Sequence, residues 1–212
     1  RFDIPSKLVK YHPTDKLDID FMYVQHAPYL VTKGQGTKFQ TIQSFNRISK
    51  RGPNGKITYK RGPKAVIEGT KKVVNKYEER GFHVEVVNGD NEFEKLRGKI
   101  GTDVNICAAD QHVGGIERAI RTTKERTRCV WSPLPYKKVP KLIIDELLED
   151  LFKVMNDFPN EHATSRDVSP AAMILARGKL NCSLRQLSFG SYFEVKLRSS
   201  NAAQISRSVS CI

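Results

Sequence analysis

The sequence predicts an α/β fold in which a mixed five-stranded sheet is flanked by helices. Three stretches with strand-like alternation come first, at 16–24, 27–34 and 37–45. Strands at 83–88 and 103–107 then alternate with amphipathic helices, and this order produces parallel crossovers. An antiparallel meander followed by parallel crossovers is the simplest arrangement. It places the first strand in the centre of the sheet and strand 83–88 beside it.

Helical periodicity marks the segments that should cover this sheet. One helix begins at Pro63 and ends near Gly81, and two longer ones span 112–130 and 139–158. A short helix follows Ser169. The predicted inward stripe of helix 112–130 is Ile116, Ala119, Ile120, Thr123, Thr127 and Val130. That of helix 139–158 is Ile144, Leu147, Leu148, Leu151, Met155 and Phe158.

These elements predict one main domain with short segments before and after it. We expect a linker over 1–15, a core over 16–160 and a helical extension over 161–185. The tail, 186–212, contains one strand-like piece and then a Ser-rich stretch that is typical of disorder. Because the first residue is Arg1 rather than Met, we expect the chain to be a piece of a longer protein.

The charge of the chain predicts a polyanionic partner. It has 212 residues, with 36 Lys and Arg against 23 Asp and Glu, a net charge of +13 and a pI near 9.7. Nucleic acid is the first candidate and an anionic membrane surface the second. No apolar run approaches the roughly 18 residues of a spanning helix, so we expect an intracellular protein without a membrane partner.

Three acidic residues occupy positions that suit a metal site. Asp20 lies midway along the first strand, where a buried carboxylate needs a cation or hydrogen-bond donors. Asp90 follows the fourth strand at its carboxyl end, where α/β sheets place their sites. Glu117 follows two glycines at the head of a basic helical face. Carboxylates without nearby His or Cys favour Mg²⁺ or Mn²⁺, and three of them can hold two ions about 3.5–4 Å apart.

Each acid also has an ordinary structural interpretation. Glu117 would pair with Arg121 one helical turn later, for about 0.2–0.5 kcal/mol. Asp90 would cap the short helix that follows it. Asp18 lies on the same strand face as Asp20 and is an alternative first ligand.

The motifs around these acids resemble one family. They are LDIDFMYV with Asp20, NGDNEFEKL with Asp90 and HVGGIERAIRTTKER with Glu117, followed by VMNDFPNEHATSRDVSPAAMILARGK. In this order they are similar to the integrase catalytic core of copia-type retrotransposons, within the retroviral-integrase and ribonuclease H-like group. The resemblance covers about residues 16–180.

The resemblance implies a ribonuclease H-like fold and a DNA-joining activity. Asp20, Asp90 and Glu117 would bind two Mg²⁺ or Mn²⁺ ions, trim the 3′ ends of element DNA and join them to target DNA. It also implies a homo-oligomer that acts in the nucleus. The interval from Asp90 to Glu117 is shorter than in retroviral enzymes, which leaves Asp110 as an alternative to Glu117.

Basic residues near these acids are candidates for DNA binding. Arg121 and Lys124 match positions at which the family grips the DNA end. A further basic segment, 46–64, contains two Gly-Pro or Pro-Asn-Gly breaks and forms either a phosphate-binding loop or a solvated insertion. The complete candidate set is Arg118, Arg121, Lys124, Arg128, Gln111, Lys50, Arg51, Lys60 and Arg61. Two other functions stay open: a ribonuclease H-like nuclease that does not join DNA, and a non-catalytic DNA-binding remnant.

Overall fold

A five-stranded mixed sheet with helices on its faces forms the protein. The structure is a computed structural model that describes residues 3–45, 47–48, 58–59, 62–107, 114–134, 139–178, 189–191, 193–196 and 208–211. Its strands are β1 (Thr14–Val24), β2 (Ala27–Gly34), β3 (Gln40–Ser44), β4 (Arg47–Ile48), β5 (Thr58–Tyr59), β6 (His83–Gly89), β7 (Asp103–Ile106), β8 (Phe193–Lys196) and β9 (Ser208–Cys211). Its helices are α1 (Ser6–Tyr11), α2 (Pro63–Glu78), α3 (Gly114–Trp131), α4 (Lys141–Asp157) and α5 (Pro170–Leu175), with a 3-10 helix at Asn91–Leu96.

The strand order of the main sheet is β3-β2-β1-β6-β7. Strands β3, β2 and β1 pair antiparallel, whereas β1, β6 and β7 pair parallel. The predicted α/β class is confirmed, and so is the central position of the first strand with the fourth beside it. Strands β4 and β5 form a separate two-stranded antiparallel sheet, and β8 and β9 form another.

Apolar side chains on the two faces of β1 contribute to separate cores. Leu17 and Ile19 belong to the core that contains Tyr77 of α2. Met22 belongs to the core that contains Ile116 of α3 and Leu148 of α4. Alternation along a strand sends successive side chains to opposite faces, so α2 covers one face while α3 and α4 cover the other. The described helices include none long and apolar enough to cross a membrane.

The structure differs from the sequence prediction at both ends of the chain. Helix α1 lies within the predicted linker, and β1 begins at Thr14, so the first strand starts before residue 16. Strand β9 lies in the stretch for which we expected disorder. Short elements of this kind carry too few residues for a periodic pattern to reveal them.

The inward stripe of α4 also differs from the prediction at its end. The buried residues after Leu151 are Phe152 and Asn156, whereas Phe158 is 50% exposed. Asn156 is buried because its side chain satisfies strand β3: Oδ1 accepts from the Gln40 backbone N–H at 2.9 Å, and Nδ2 donates to the Gln40 carbonyl at 2.7 Å. The end of α4 is therefore turned towards the sheet edge, and Phe158 is left at the surface.

A buried carboxylate fixes the start of β1. Asp15 is 5% exposed and accepts hydrogen bonds from the backbone N–H groups of Gly36 at 2.6 Å and Thr37 at 3.0 Å, and from the Thr37 hydroxyl at 2.7 Å. The Thr37 and Tyr77 hydroxyls lie 3.1 Å apart. Burial and the nearby charge of Asp15 raise the pKa of Tyr77. Gly34 leaves the space for this cluster, since a Cβ there would lie 2.6 Å from Asp15 Oδ2.

The Gly34→Ala substitution should therefore destabilise the protein. The added methyl group would overlap Asp15, Thr37 and Tyr77, and overpacking of this kind costs about 1–3 kcal/mol. Gly178→Ala is the matched control, because a Cβ at Gly178 meets nothing within 4 Å. Urea unfolding compares the two variants. Equal free energies of unfolding for both would contradict the assignment of Gly34 to a close approach.

Candidate active site

The register of β1 and β6 brings two of the predicted acids together. The two strands are parallel, with Leu17 opposite Val87 and Asp18 opposite Asn88. The pairing ends there, and two residues further along each chain lie Asp20 in β1 and Asp90, directly after the end of β6. Neighbouring strands are about 4.8 Å apart, so the backbones that carry Asp20 and Asp90 are adjacent.

An aromatic pair holds these two backbones in place. Phe21 follows Asp20 in β1, and Phe93 lies in the 3-10 helix after Asp90. Their rings stack with centroids 4.9 Å apart, and Phe93 is 1% exposed. The Asp90 carboxylate caps the 3-10 helix by accepting from the Glu92 backbone N–H at 3.0 Å. The predicted capping role of Asp90 is therefore present alongside its position beside Asp20.

Helix α3 brings the third acid to the same place. Its buried residues are five of the six predicted ones: Ile116, Ala119, Ile120, Thr123 and Thr127. Ile116 and Ile120 pack into the core beneath β1 and β2. Glu117 is exposed in the first turn, at the edge of this buried stripe. A surface depression is lined by Asp20, Phe21, Glu117, Ile120, Arg121, Lys124 and Arg128.

The electrostatics of Asp20 reflect the proximity of the other acids. Burial raises the pKa of Asp20, and the negative charges of Asp90, Glu117 and Glu92 raise it further. A hydrogen bond from the Phe21 backbone N–H, at 2.6 Å, acts in the opposite direction. Carboxylates that repel one another at a partly buried position are stabilised by a shared cation.

The donor chemistry of this group suits a hard cation. Three carboxylates supply oxygen ligands, the kind that Mg²⁺ and Mn²⁺ prefer. Within the described residues, however, no three His, Cys, Asp or Glu side chains are close enough to hold a metal ion as they stand. The structure thus places Asp20 and Glu117 in one depression and Asp90 near enough for its charge to act on Asp20, without a finished coordination shell.

Asp18, the alternative first ligand, is engaged in a different way. It is 2% exposed, and its Oδ1 accepts from Gln35 Nε2 at 2.7 Å and from Asn88 Nδ2 at 3.0 Å. Asn88 Oδ1 in turn accepts from Asn105 Nδ2 at 3.2 Å. Burial raises the pKa of Asp18, while these amide donors and the charge of Lys33 oppose the increase. Asp18 thereby links β1 to β6, and Asn88 links β6 to β7.

The start of α3 packs against the Asp18 carboxylate, which accepts these amide hydrogen bonds. A Cβ at Gly115 would lie 2.9 Å from Asp18 Oδ2, so only glycine allows the helix to approach so closely. The sequence analysis did not identify this role for Gly115 or for Asn88. The signal in the sequence was the pair of glycines before Glu117, to which the sequence analysis assigned no contact.

The basic residues of α3 are available to an external anion. Within the part of the chain that the structure describes, Arg121, Lys124 and Arg128 form no ion pair, so the predicted alternative of a Glu117–Arg121 pair is absent. Arg118 lies on another flank of the helix. Five candidate DNA-binding residues, Gln111, Lys50, Arg51, Lys60 and Arg61, lie outside the described residues, and so does Asp110.

Comparison with known proteins assigns the chain to no family. The chain matches no protein-family model, and no curated protein matches it significantly. The functional assignment therefore depends on the residues of the site and their arrangement.

The close approach at Gly115 makes a matched pair of substitutions informative. Gly114→Ala should stabilise α3 by up to about 1 kcal/mol, because its Cβ meets nothing within 4 Å and Ala favours a helix. Gly115→Ala should be about 1–3 kcal/mol less stable than Gly114→Ala, because its methyl group pushes the helix away from Asp18. Chemical unfolding measures both. If Gly115→Ala were as stable as Gly114→Ala, α3 would not be held against Asp18.

The raised pKa of Asp20 predicts a pH-dependent effect on stability. A carboxyl group whose pKa is higher in the folded state than its usual value of 3.8 binds protons more tightly when folded. The free energy of unfolding therefore falls as the pH rises through the interval between the two pKa values. In the metal-free protein, Asp20→Asn should raise the melting temperature at neutral pH and lose this advantage in acid.

Glu125→Gln, an exposed change on α3, is the control and should show no such pH dependence. A lower melting temperature for Asp20→Asn than for the wild type at neutral pH would show that Asp20 is not destabilised by its surroundings.

Proposed function

We propose that the protein is a metal-dependent polynucleotidyl transferase with a ribonuclease H-like fold, similar to the integrase core of copia-type retrotransposons. The observation that carries the proposal is that Asp20 and Glu117, from two separate elements, line one basic depression, while the negative charge of Asp90 at the end of the neighbouring strand acts on Asp20. The sheet order and the predicted motifs support it, because the first acid is on the central strand and the second follows its parallel neighbour.

Asp20, Asp90 and Glu117 would hold two Mg²⁺ or Mn²⁺ ions. Bound in pairs, such ions stabilise the attacking and leaving oxygens of phosphoryl transfer. The amide donors on Asp18 and the Phe21–Phe93 stack would keep β1 and β6 fixed beneath this group. Asp20 is preferred to Asp18 as the first ligand, because Asp18 already accepts two hydrogen bonds and Asp20 lines the depression with Glu117.

The basic row of α3 would position the DNA. Arg121, Lys124 and Arg128 line the same depression as Asp20 and Glu117, at helical spacings of three and four. Guanidinium and ammonium groups at this position would hold phosphates next to the acids and restrict the scissile phosphodiester to one orientation. The substrates would be the ends of an element and a target DNA, handled by a homo-oligomer in the nucleus.

A second candidate is a DNA-binding remnant without catalysis. It is favoured by the spacing of the acids, since the described residues contain no ready group of three metal ligands. This candidate predicts DNA binding that does not depend on divalent cations. A third, the nuclease that does not join DNA, predicts cleavage without strand transfer.

Strand transfer by the purified protein, assayed with labelled DNA ends and a plasmid target, separates these candidates. Activity should require Mg²⁺ or Mn²⁺. Asp20→Asn and Glu117→Gln should each lower it by at least about a hundredfold, the scale seen when one charge-stabilising group is removed from an active site. Glu125→Gln removes one acid from the exposed side of the same helix and should leave the rate unchanged.

Activity that survives Glu117→Gln would remove Glu117 from the site. Cleavage without joining would select the nuclease, and binding with neither activity would select the remnant.

A further inference from the structure

Helix α3 carries basic residues along both edges of its buried stripe. Successive residues of a helix are rotated by about 100°. Glu117, Arg121, Lys124 and Arg128 therefore form one row, and Arg118, Thr122 and Arg126 form a second row rotated from it by roughly 130°. The buried residues Ile116 and Ile120 occupy the arc on the other side of the helix. The second row thus faces a different part of the surface from the first.

This second row lines a separate pocket between β2, β3, α3 and the end of α4. Its lining includes Lys33, Gln40, Arg118, Arg126, Met155 and Phe158. None of these residues lines the depression beside Asp20 and Glu117. The pocket therefore belongs to neither the carboxylate group nor the basic row proposed to hold the DNA end.

The pocket is strongly positive. Burial lowers the pKa of Lys33, and the positive charges of Lys38 and Arg118 lower it further, while Asp18 opposes them. Lys33 Nζ donates to the Gly115 carbonyl at 3.4 Å. Arg118 and Arg126 form no ion pair with any residue in the described part of the chain. No carboxylate is among the described residues that line the pocket, so its cations attract an external anion, and two arginines favour a phosphate.

The lining of the pocket also includes the apolar side chains of Met155 and Phe158, which a phosphate alone does not need. Phe158 is 50% exposed although its spacing predicted a core residue, and Met155 lies one helical turn before it. An exposed aromatic ring next to arginines provides a stacking surface for a nucleic-acid base. Bases in a duplex are stacked on one another and hidden from such a ring, whereas an unpaired base can reach it.

We propose that this pocket binds an unpaired nucleotide of a single-stranded DNA segment, with its phosphate at Arg118 and Arg126 and its base on Phe158. The proposal rests on the proposed nucleic-acid function, and it adds a second binding site on the far edge of α3. A single-stranded extension at a DNA end is the substrate that fits it.

Binding of a labelled oligothymidine and of a duplex of equal length tests the proposal. The measurement uses fluorescence anisotropy in EDTA, over a series of salt concentrations. Arg118→Gln combined with Arg126→Gln should lower the slope of log affinity against log salt for the single strand by up to about 1.4, or 0.7 for each lost phosphate contact. Phe158→Leu should weaken single-strand binding about tenfold and leave duplex binding unchanged.

The matched control is Lys71→Gln combined with Lys72→Gln. These two exposed residues belong to α2, which covers the opposite face of the sheet, and their loss removes the same charge. A slope equal to that of this control would overturn the phosphate site. Equal loss of single-strand and duplex binding in Phe158→Leu would overturn the stacking of a base. Melting curves verify that each variant is folded.

The outcome is independent of catalysis, because no divalent ion is present. If strand transfer fails but the pocket variants lose single-strand binding as expected, the pocket stands and the proposed reaction falls. If strand transfer depends on Asp20 and Glu117 while the pocket variants match the control, the proposed reaction stands and the pocket proposal falls.

Discussion

The pairing of β1 with β6 is the constraint on which the site depends. In this register the Asp18 carboxylate accepts from Asn88 Nδ2 at 3.0 Å across the two strands. A slip by one residue would separate this buried bond and turn the side chains of β6 to the wrong faces. An unsatisfied buried carboxylate or amide costs about 1–3 kcal/mol, so the register is strongly selected. Asp20 and Asp90 are neighbours because this register is kept.

Helix α3 combines an acid, two basic rows and a buried stripe in one element. Its apolar and small residues fix its rotation against the sheet, and this rotation decides which charges face the carboxylates and which face β2 and α4. Gly115 sets how closely the helix approaches Asp18. The position of Glu117 is thus a consequence of how Gly115 packs against Asp18 and how Ile116 and Ile120 pack into the core. Substitutions that change this packing should therefore change the geometry of the site.

The sequence predicted those features that repeat along the chain. Alternation located the strands, and the 3.6-residue period located the helices and the buried stripe of α3. The hydrogen bonds of Asn156 and Asn88 could not be predicted, because they join residues far apart in the chain and depend on the final register. Polar residues with no periodic pattern became the contacts that orient α4 and bind the central strands. The exposure of Phe158 follows from that orientation.

The acids at Asp20, Asp90 and Glu117 were predicted from their positions in the elements. In the structure Asp20 and Glu117 line one depression, and the charge of Asp90 acts on Asp20. Whether they share a cation is tested most directly by a crystal structure of the protein grown with Mn²⁺, using anomalous scattering to locate the metal. Manganese bound by Asp20, Asp90 and Glu117 is the predicted result. Manganese held by other residues, or its absence from this depression in well-ordered crystals, would contradict a metal-dependent site here.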